Sequence, residues 1–352
     1  MDNMGNCFDG DKDMSLSQKH NYYYKKTENR EGAIGLINLG NTCFMNSSLQ
    51  CLGHLSSFVS EIKDIKKNLY KENNLITVLA ELFKQMENKD EDYQSENILT
   101  DIISLMSKIN NKYSQYKQQD ANEFISLLLF NLNIQLRSLN IPFENKYTNK
   151  KEESQEFKNM LKRFFTGKSF IESLFFGKIK KVIQCPRGHV LKNVFQIFII
   201  LELSFIEEKS PKDLKKMLKA YQDNQYYDDQ IVCSICNNKS YKRCRQQSLI
   251  YDIPKYFIVH FNKNENKEYQ KINYDLELLF SEITCHKDID IKYKLVGLIK
   301  FSGVKGYGHY TAICYNHFDK KYYKFSDSYF TEVSQTELNC DNANVLFYER
   351  ND

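Results

Sequence analysis

Gly35-Leu36-Ile37-Asn38-Leu39-Gly40-Asn41-Thr42-Cys43-Phe44-Met45-Asn46-Ser47-Ser48-Leu49-Gln50 is the stretch on which the reading of this chain turns. It reads as a loop running into a helix. Its two glycines let the backbone turn sharply. Thr42 is placed to cap the first turn, and Phe44, Leu49 and Leu52 fall on one helical face. Cys43 then stands at a helix N-terminus, where free N–H groups and the macrodipole favour a thiolate. A thiolate is a nucleophile, so Cys43 is a candidate catalytic residue. Asn38 lies five residues upstream. Its amide is in place to face an oxyanion formed by attack of Cys43 on a carbonyl. The plainer reading is that Cys43 is a small buried residue at a helix start.

Outward from this stretch, composition narrows the choices. The 352 residues suffice for one large domain or two ordinary ones, and 41% are hydrophobic, enough for a sizeable core. A net charge of +4 is small for this length and argues against a dedicated nucleic-acid binder. Residues 1–26 are polar without an apolar segment, so no secretory signal is expected. No run approaches a membrane span; the longest apolar stretch, residues 194–205, is broken by Gln196, Glu202 and Ser204. The ten cysteines are therefore expected in a reducing compartment, free, metal-bound or catalytic.

Residues 1–31 read as a polar, disordered tail with a tyrosine cluster at Tyr22, Tyr23 and Tyr24. From 32 to about 108 the apolar spacing is helical, as in Leu75, Val78, Leu79 and Leu82. Then comes Gln118-Gln119-Asp120-Ala121-Asn122-Glu123-Phe124. Asp120 and Glu123 share a helix face, either as a capping arrangement or as an acidic pair for a basic peptide. Residues 140–158 read as a loop or insertion around Pro142. Strand patterns follow, including 194–203, and a short helix is expected over 211–220 with Ser210 as cap.

Cys233-Ser234-Ile235-Cys236 has the spacing of two zinc ligands. The matching first pair is broken: Cys185 is followed by Gly188 and His189. Cys185 and His189 are candidates for the other two positions, with Cys244 as a spare, and a degenerate site without metal is the alternative.

The C-terminal third reads as strands. Residues 302–308 form a Gly-rich loop, and His309 opens the next strand. Ser326 and Asp327 end the strand after that. A hairpin of this kind can set an imidazole beside a polar partner that fixes its tautomer. Cysteine on a helix, histidine on a strand and an orienting group on the neighbouring strand are the parts of a thiol hydrolase.

Taken in order, these motifs resemble those of the ubiquitin-specific protease family, deubiquitinating cysteine proteases. The matching stretches are the one quoted first, residues 118–124, Gly308-His309-Tyr310-Thr311-Ala312, Tyr323-Lys324-Phe325-Ser326-Asp327-Ser328 and Leu346-Phe347-Tyr348-Glu349-Arg350. The resemblance covers roughly residues 32–350 and implies an α+β, papain-like core. That core has a helical thumb (about 32–168), β-fingers (about 175–250) and a β-sheet palm (about 169–174 and 251–350). It implies Cys43 as nucleophile, His309 as base and Asn38 as oxyanion residue. Asp120, Glu123, Gly308 and Tyr310 would meet the substrate, with the glycines around His309 in a loop that gates the cleft. The family usually carries Asp or Asn where this chain has Ser326, so the third residue is Ser326 or Asp327. Ser326 is favoured as the direct partner, with Asp327 as electrostatic support. No catalytic cofactor is implied; in the fingers, a structural zinc and a degenerate site without metal both stand open, because the first ligand pair is incomplete. The implied partners are ubiquitin and ubiquitinated proteins, and the expected state is a monomer in the cytoplasm, the nucleus or both. An inactive ubiquitin-binding scaffold and a protease for another ubiquitin-like modifier are the rival readings.

Overall fold

The computed structural model describes residues 31–67, 69, 74–87, 95–115, 117–139, 169–204, 213–223, 225–227, 230–262, 272–286, 290–304, 307–339 and 342–351. The tail expected over 1–31 lies outside these residues apart from Glu31, as do the loop expected over 140–158, Ser210, Pro211 and Gly306.

Among the described residues, five α-helices come first: α1 (Cys43–Gly53), α2 (Ser56–Lys66), α3 (Leu75–Glu87), α4 (Ser95–Ile109) and α5 (Ala121–Leu139). A short α6 (Phe170–Phe175) leads into the strands, its Ser169 side chain accepting from the Ile171 N–H as a cap. The first strands are β1 (Gly177–Gln184), β2 (Val190–Phe198) and β3 (Ile200–Ser204), followed by α7 (Leu214–Gln222). Then come β4 (Gln225–Tyr227), β5 (Ile231–Cys233), β6 (Lys239–Tyr241), β7 (Cys244–Asp252), β8 (Tyr256–Asn262), β9 (Glu277–Leu279) and α8 (Phe280–Ile283). The chain closes with β10 (Lys292–Val304), β11 (Tyr307–Asn316), β12 (Lys321–Ser326), β13 (Tyr329–Val333) and β14 (Ala343–Arg350). This is the mixed helix-and-sheet class expected from the sequence.

The large sheet runs β13-β12-β11-β10-β14-β8-β3, with β9 paired to β10. Both of its faces are covered. Along β14, Val345 and Phe347 enter one core with α1, α3, α5 and α6. Leu346 and Tyr348 enter the other, with α7 and α8. That alternation is the period of two of a strand. A second sheet, β2-β1-β7-β4, and the β5–β6 hairpin stand apart from it.

Two expectations change here. The strand read over 194–203 breaks at Ile199: β2 stays in the smaller sheet, while β3 crosses to lie parallel to β8. The helix expected at 211–220 starts later, because Asp213 rather than Ser210 supplies the cap, accepting from the Lys216 N–H at 3.0 Å.

α1 is the axis of the arrangement. Residues 43–52 are all buried, between β11 on one side and α5 on the other. Phe44 packs against Tyr113 and Phe124 at ring separations of 6.0 and 5.7 Å. Truncating such a ring costs about 3–5 kcal/mol, so the register of α1 is firmly held. Cys43 is thereby fixed against the sheet.

Candidate active site and candidate metal centre

Thr42 stands at the N-cap of α1, yet its hydroxyl does not cap the helix. It accepts from the Leu39 N–H at 2.9 Å and donates to Asn38 Oδ1 at 3.1 Å. Asn38 Oδ1 also accepts from the N–H groups of Gly40 and Thr42, at 2.9 and 3.1 Å. The loop is thus wound around the Asn38 side chain, which explains why Thr42 is diverted from the helix.

The other end of that amide reaches the end of β12 in the large sheet. Asn38 Nδ2 donates to Asp327 Oδ2 at 2.9 Å, and Asn46 Nδ2 donates to Asp327 Oδ1 at 2.7 Å. Asn46 also donates to the carbonyls of Leu36 and Ile37. The backbone closes the same junction, with the Leu36 N–H on the Asp327 carbonyl at 2.8 Å. Gly35 permits this approach: a Cβ there would stand 2.2 Å from the Ser328 carbonyl oxygen.

Ser326 and Asp327 therefore face different partners. Ser326 ends β12, and its Oγ lies 2.9 Å from His309 Nε2. Asp327 follows with φ +50°, a left-handed conformation that Asp tolerates. It directs the carboxylate to Asn38 and Asn46.

Cys43 is buried. Burial pushes its thiol pKa up, and the Asp327 charge adds to this; the backbone N–H groups of Tyr310 and Phe44 and the Gln118 amide pull the other way. The expectation of a thiolate favoured by the helix terminus is corrected: desolvation outweighs the terminus here. Gln118 Nε2 lies 3.8 Å from Cys43 Sγ. The same amide makes a two-point contact with Gly308, donating to its carbonyl and accepting its N–H at 3.0 Å.

Asp120 and Glu123 sit at the start of α5. Asp120 Oδ1 accepts from the Glu123 N–H at 3.1 Å, and Glu123 pairs with Lys112; both carboxylates are exposed. One pair serves as cap and as surface charge. The Tyr310 ring is buried against Phe301, 4.6 Å between centroids, so Tyr310 offers the cleft its backbone. Asn122 joins helix to sheet through Glu202 Oε1 at 3.2 Å. The sequence motifs alone assign no role to Asn46 or Gln118. A buried Asn within an apolar helix is the signal that marks Asn46, since its polar atoms demand partners. No local signal marks Gln118.

Cys185, His189, Cys233 and Cys236 converge at the tip of the smaller sheet, their ligand atoms all within 4.8 Å of one another. His189 Nδ1 lies 3.2 Å from Cys236 Sγ, 3.6 Å from Cys185 Sγ and 3.7 Å from Cys233 Sγ. A tetrahedral zinc with Zn–S of about 2.3 Å and Zn–N of about 2.0 Å needs S···N edges of roughly 3.5 Å. The four residues fit a structural zinc. Burial raises the Cys185 thiol pKa, but the backbone N–H groups of His189 and Arg187 and the thiols of Cys233 and Cys236 bring it below its ordinary value. Donors aimed at a sulfur are the second shell a metal thiolate requires. His189 takes the place of the missing cysteine, and Cys244, though buried, stands outside the group of four.

Comparison with known proteins identifies the family. The family model described as ubiquitin carboxyl-terminal hydrolase matches residues 34–348. Ubiquitin carboxyl-terminal hydrolase Usp2 of Drosophila melanogaster is 26% identical over 96% of this chain, which spans 37% of that protein. Human ubiquitin carboxyl-terminal hydrolase 2 is 25% identical over 92% of this chain, which spans 56% of it. Ubiquitin carboxyl-terminal hydrolase 8 of Saccharomyces cerevisiae is 28% identical, with 91% of this chain and 71% of that protein covered. Among solved structures, the Ubp8/Sgf11/Sus1/Sgf73 module bound to monoubiquitin shares the fold, with TM-score 0.75 and 24% identity over 96% of this chain and 74% of that one. The module bound to ubiquitin aldehyde gives 0.74 and 23%, over 96% of this chain and 74% of that one. With nine-tenths of its length matched by one family model, this chain belongs to the ubiquitin carboxyl-terminal hydrolase family, as a ubiquitin-specific protease.

Proposed function

We propose that this chain is a thiol-dependent deubiquitinase that hydrolyses the bond after the C-terminal glycine of ubiquitin. The observation that carries the reading is the 2.9 Å contact between His309 Nε2 and Ser326 Oγ, on a strand packed against the helix that begins at Cys43. Ser326 occupies Nε2, which leaves Nδ1 to serve the thiol.

The Cys43 thiol starts protonated, because burial raises its pKa. His309 takes that proton as sulfur attacks the glycine carbonyl. One Asn38 amide proton is held by Asp327, and the second is directed at the oxyanion. Collapse of the tetrahedral intermediate expels the lysine amine, which takes its proton from His309. Water, deprotonated by His309, then hydrolyses the thioester and restores the thiol. Asp120 and Glu123 receive the basic tail of ubiquitin, and the backbone of Gly308 and Tyr310 lines its path. In this reading α1–α5 act as the thumb, the smaller sheet as fingers and the large sheet as palm. A zinc held by Cys185, His189, Cys233 and Cys236 would fix the finger tip and would take no part in the chemistry.

No described helix is long and apolar enough to cross a membrane. Action as a monomer, in the cytoplasm or the nucleus, belongs to the same proposal. The Ubp8 structures hold that protein together with Sgf11, Sus1 and Sgf73, so sedimentation of this chain alone and with ubiquitin is the direct check.

A panel of modifiers bearing a C-terminal electrophile tests the activity. Ubiquitin is expected to label Cys43 in preference to other ubiquitin-like modifiers. Preferential labelling by another modifier would reassign the substrate. Ubiquitin binding without labelling would make the chain a scaffold.

A further inference from the structure

The hairpin that carries His309 has an uncovered edge. β11 pairs with β10 along its length, from Tyr307 to Cys314. On its other side β12 pairs with it only from Ala312 to Asn316. Between 308 and 311 that edge faces the helices instead of a strand. In a strand, the main-chain groups of residues i and i+2 point to the same edge. Gly308 and Tyr310 are such a pair. The Tyr310 N–H is directed at the Cys43 thiol. The N–H and carbonyl of Gly308 are both taken by Gln118.

A primary amide offers one acceptor and donors in the same plane, as a peptide group does. Gln118 meets Gly308 as a neighbouring strand would meet it. Its Nε2 also lies 3.8 Å from Cys43 Sγ, so the contact stands at the last step before the nucleophile. Any extended chain whose terminal carbonyl reaches Cys43 along this edge needs the same two groups of Gly308.

We infer that Gln118, bound to the main chain of Gly308, is a side-chain surrogate for the substrate tail, which the substrate must displace. This rests on the deubiquitinase reading for that tail: an extended, side-chain-poor peptide end that adds to the β11 edge. Strand addition supplies affinity through main-chain hydrogen bonds. In the free enzyme those bonds are already made internally. Binding therefore exchanges hydrogen bonds one for one, and the observed affinity is reduced by the fraction of molecules in which the clamp is open. Gln118 sets how strongly the cleft resists entry.

Two measurements on the whole chain test this. The first is steady-state cleavage of ubiquitin carrying a fluorogenic C-terminal amide, by wild type and by Gln118→Ala. Loss of the two-point contact is expected to lower KM by about 3- to 10-fold, with a smaller change in kcat. The second is amide hydrogen exchange at Gly308 in the free enzyme. The protection of wild type is expected to fall in Gln118→Ala and to return in that variant when ubiquitin is bound. A drop in kcat at constant KM would make Gln118 a group that positions Cys43 and overturn the clamp. Equal exchange at Gly308 in both proteins would overturn it as well. A wild type that leaves the substrate intact would instead refute the deubiquitinase reading, and the clamp with it.

Discussion

The chain holds two places where thiols meet an imidazole, and they differ in nearly every other respect. At the finger tip, three cysteines surround His189, with all four ligand atoms within 4.8 Å. Near the palm, Cys43 and His309 come from different layers, and each has other partners. Gln118 faces the thiol and Ser326 holds the imidazole. Symmetric crowding of soft donors makes a closed metal site; asymmetric partners leave a proton free to move. The same residue types are therefore arranged to hold a metal in one region and, on the proposed function, to move a proton in the other.

The sharpest break of this comparison is at the nucleophile. Cys43→Ala is expected to lower turnover of a ubiquitin substrate by about 10⁴-fold or more, while ubiquitin binding persists. Cys51, buried 3.7 Å from Cys314, should be replaceable by Ala with activity retained. Near-normal turnover by Cys43→Ala would sink the mechanism.

The finger site is tested through metal content. Purified protein is expected to carry about one zinc per chain by elemental analysis. Cys233→Ser should lose it and lower Tm by about 5 °C or more. Absence of zinc, with Tm unchanged by chelator, would leave the tip held by packing alone.

A third histidine sharpens the contrast, because it serves neither purpose. His54 is buried at the end of α1, its ring nitrogens 2.7 and 2.9 Å from the carbonyl oxygens of Gln50 and Gly32. Burial outweighs those carbonyls and lowers its pKa to about 4. A depressed folded pKa favours the native state above the unfolded value, near 6.5, and that contribution is lost as pH falls toward 4. Unfolding free energy measured in urea should fall by about 3 kcal/mol more over that window in wild type than in His54→Gln. Parallel pH profiles would show that His54 is not the group responsible.

The smallest effect concerns the orienting residues. Ser326→Ala removes one neutral hydrogen bond and should cost about tenfold in kcat. Asp327→Ala should act through the loop instead. In a double-mutant cycle, Asn38→Ala should cost less in the Asp327→Ala background than alone. Additive losses would mean that Asp327 acts on His309 and not through Asn38.

Much of the fold was legible because its signals are local. The spacing of Phe44, Leu49 and Leu52 marks α1, and the apolar run over 345–348 marks β14. What could not be read depends on distant partners. Thr42 looks like a cap until Asn38 claims its hydroxyl. The break at Ile199 arises because β3 finds β8, some 58 positions on. Ser326 and Asp327 are adjacent, and only the left-handed turn at Asp327 separates their targets. Gln118 lies within a quoted motif, but its partner Gly308 is 190 residues away. Raised acidity at Cys43 was argued from the helix terminus, and the opposing desolvation comes from burial that no local pattern displays.

The carboxylate of Asp327 is bound by Asn38 and Asn46 across 289 and 281 positions of sequence. During synthesis, α1 leaves the ribosome long before β12 exists. At about 5–20 residues per second, that gap is on the order of 10 to 60 seconds. Throughout it the nucleophile has neither its imidazole nor the anchor of its loop. On the proposed function, a product ending before His309 carries a cysteine without a base and is expected to be inert toward ubiquitin. On the same reading, activity waits until β11 and β12 have emerged, which is a form of timing written into the order of the sequence.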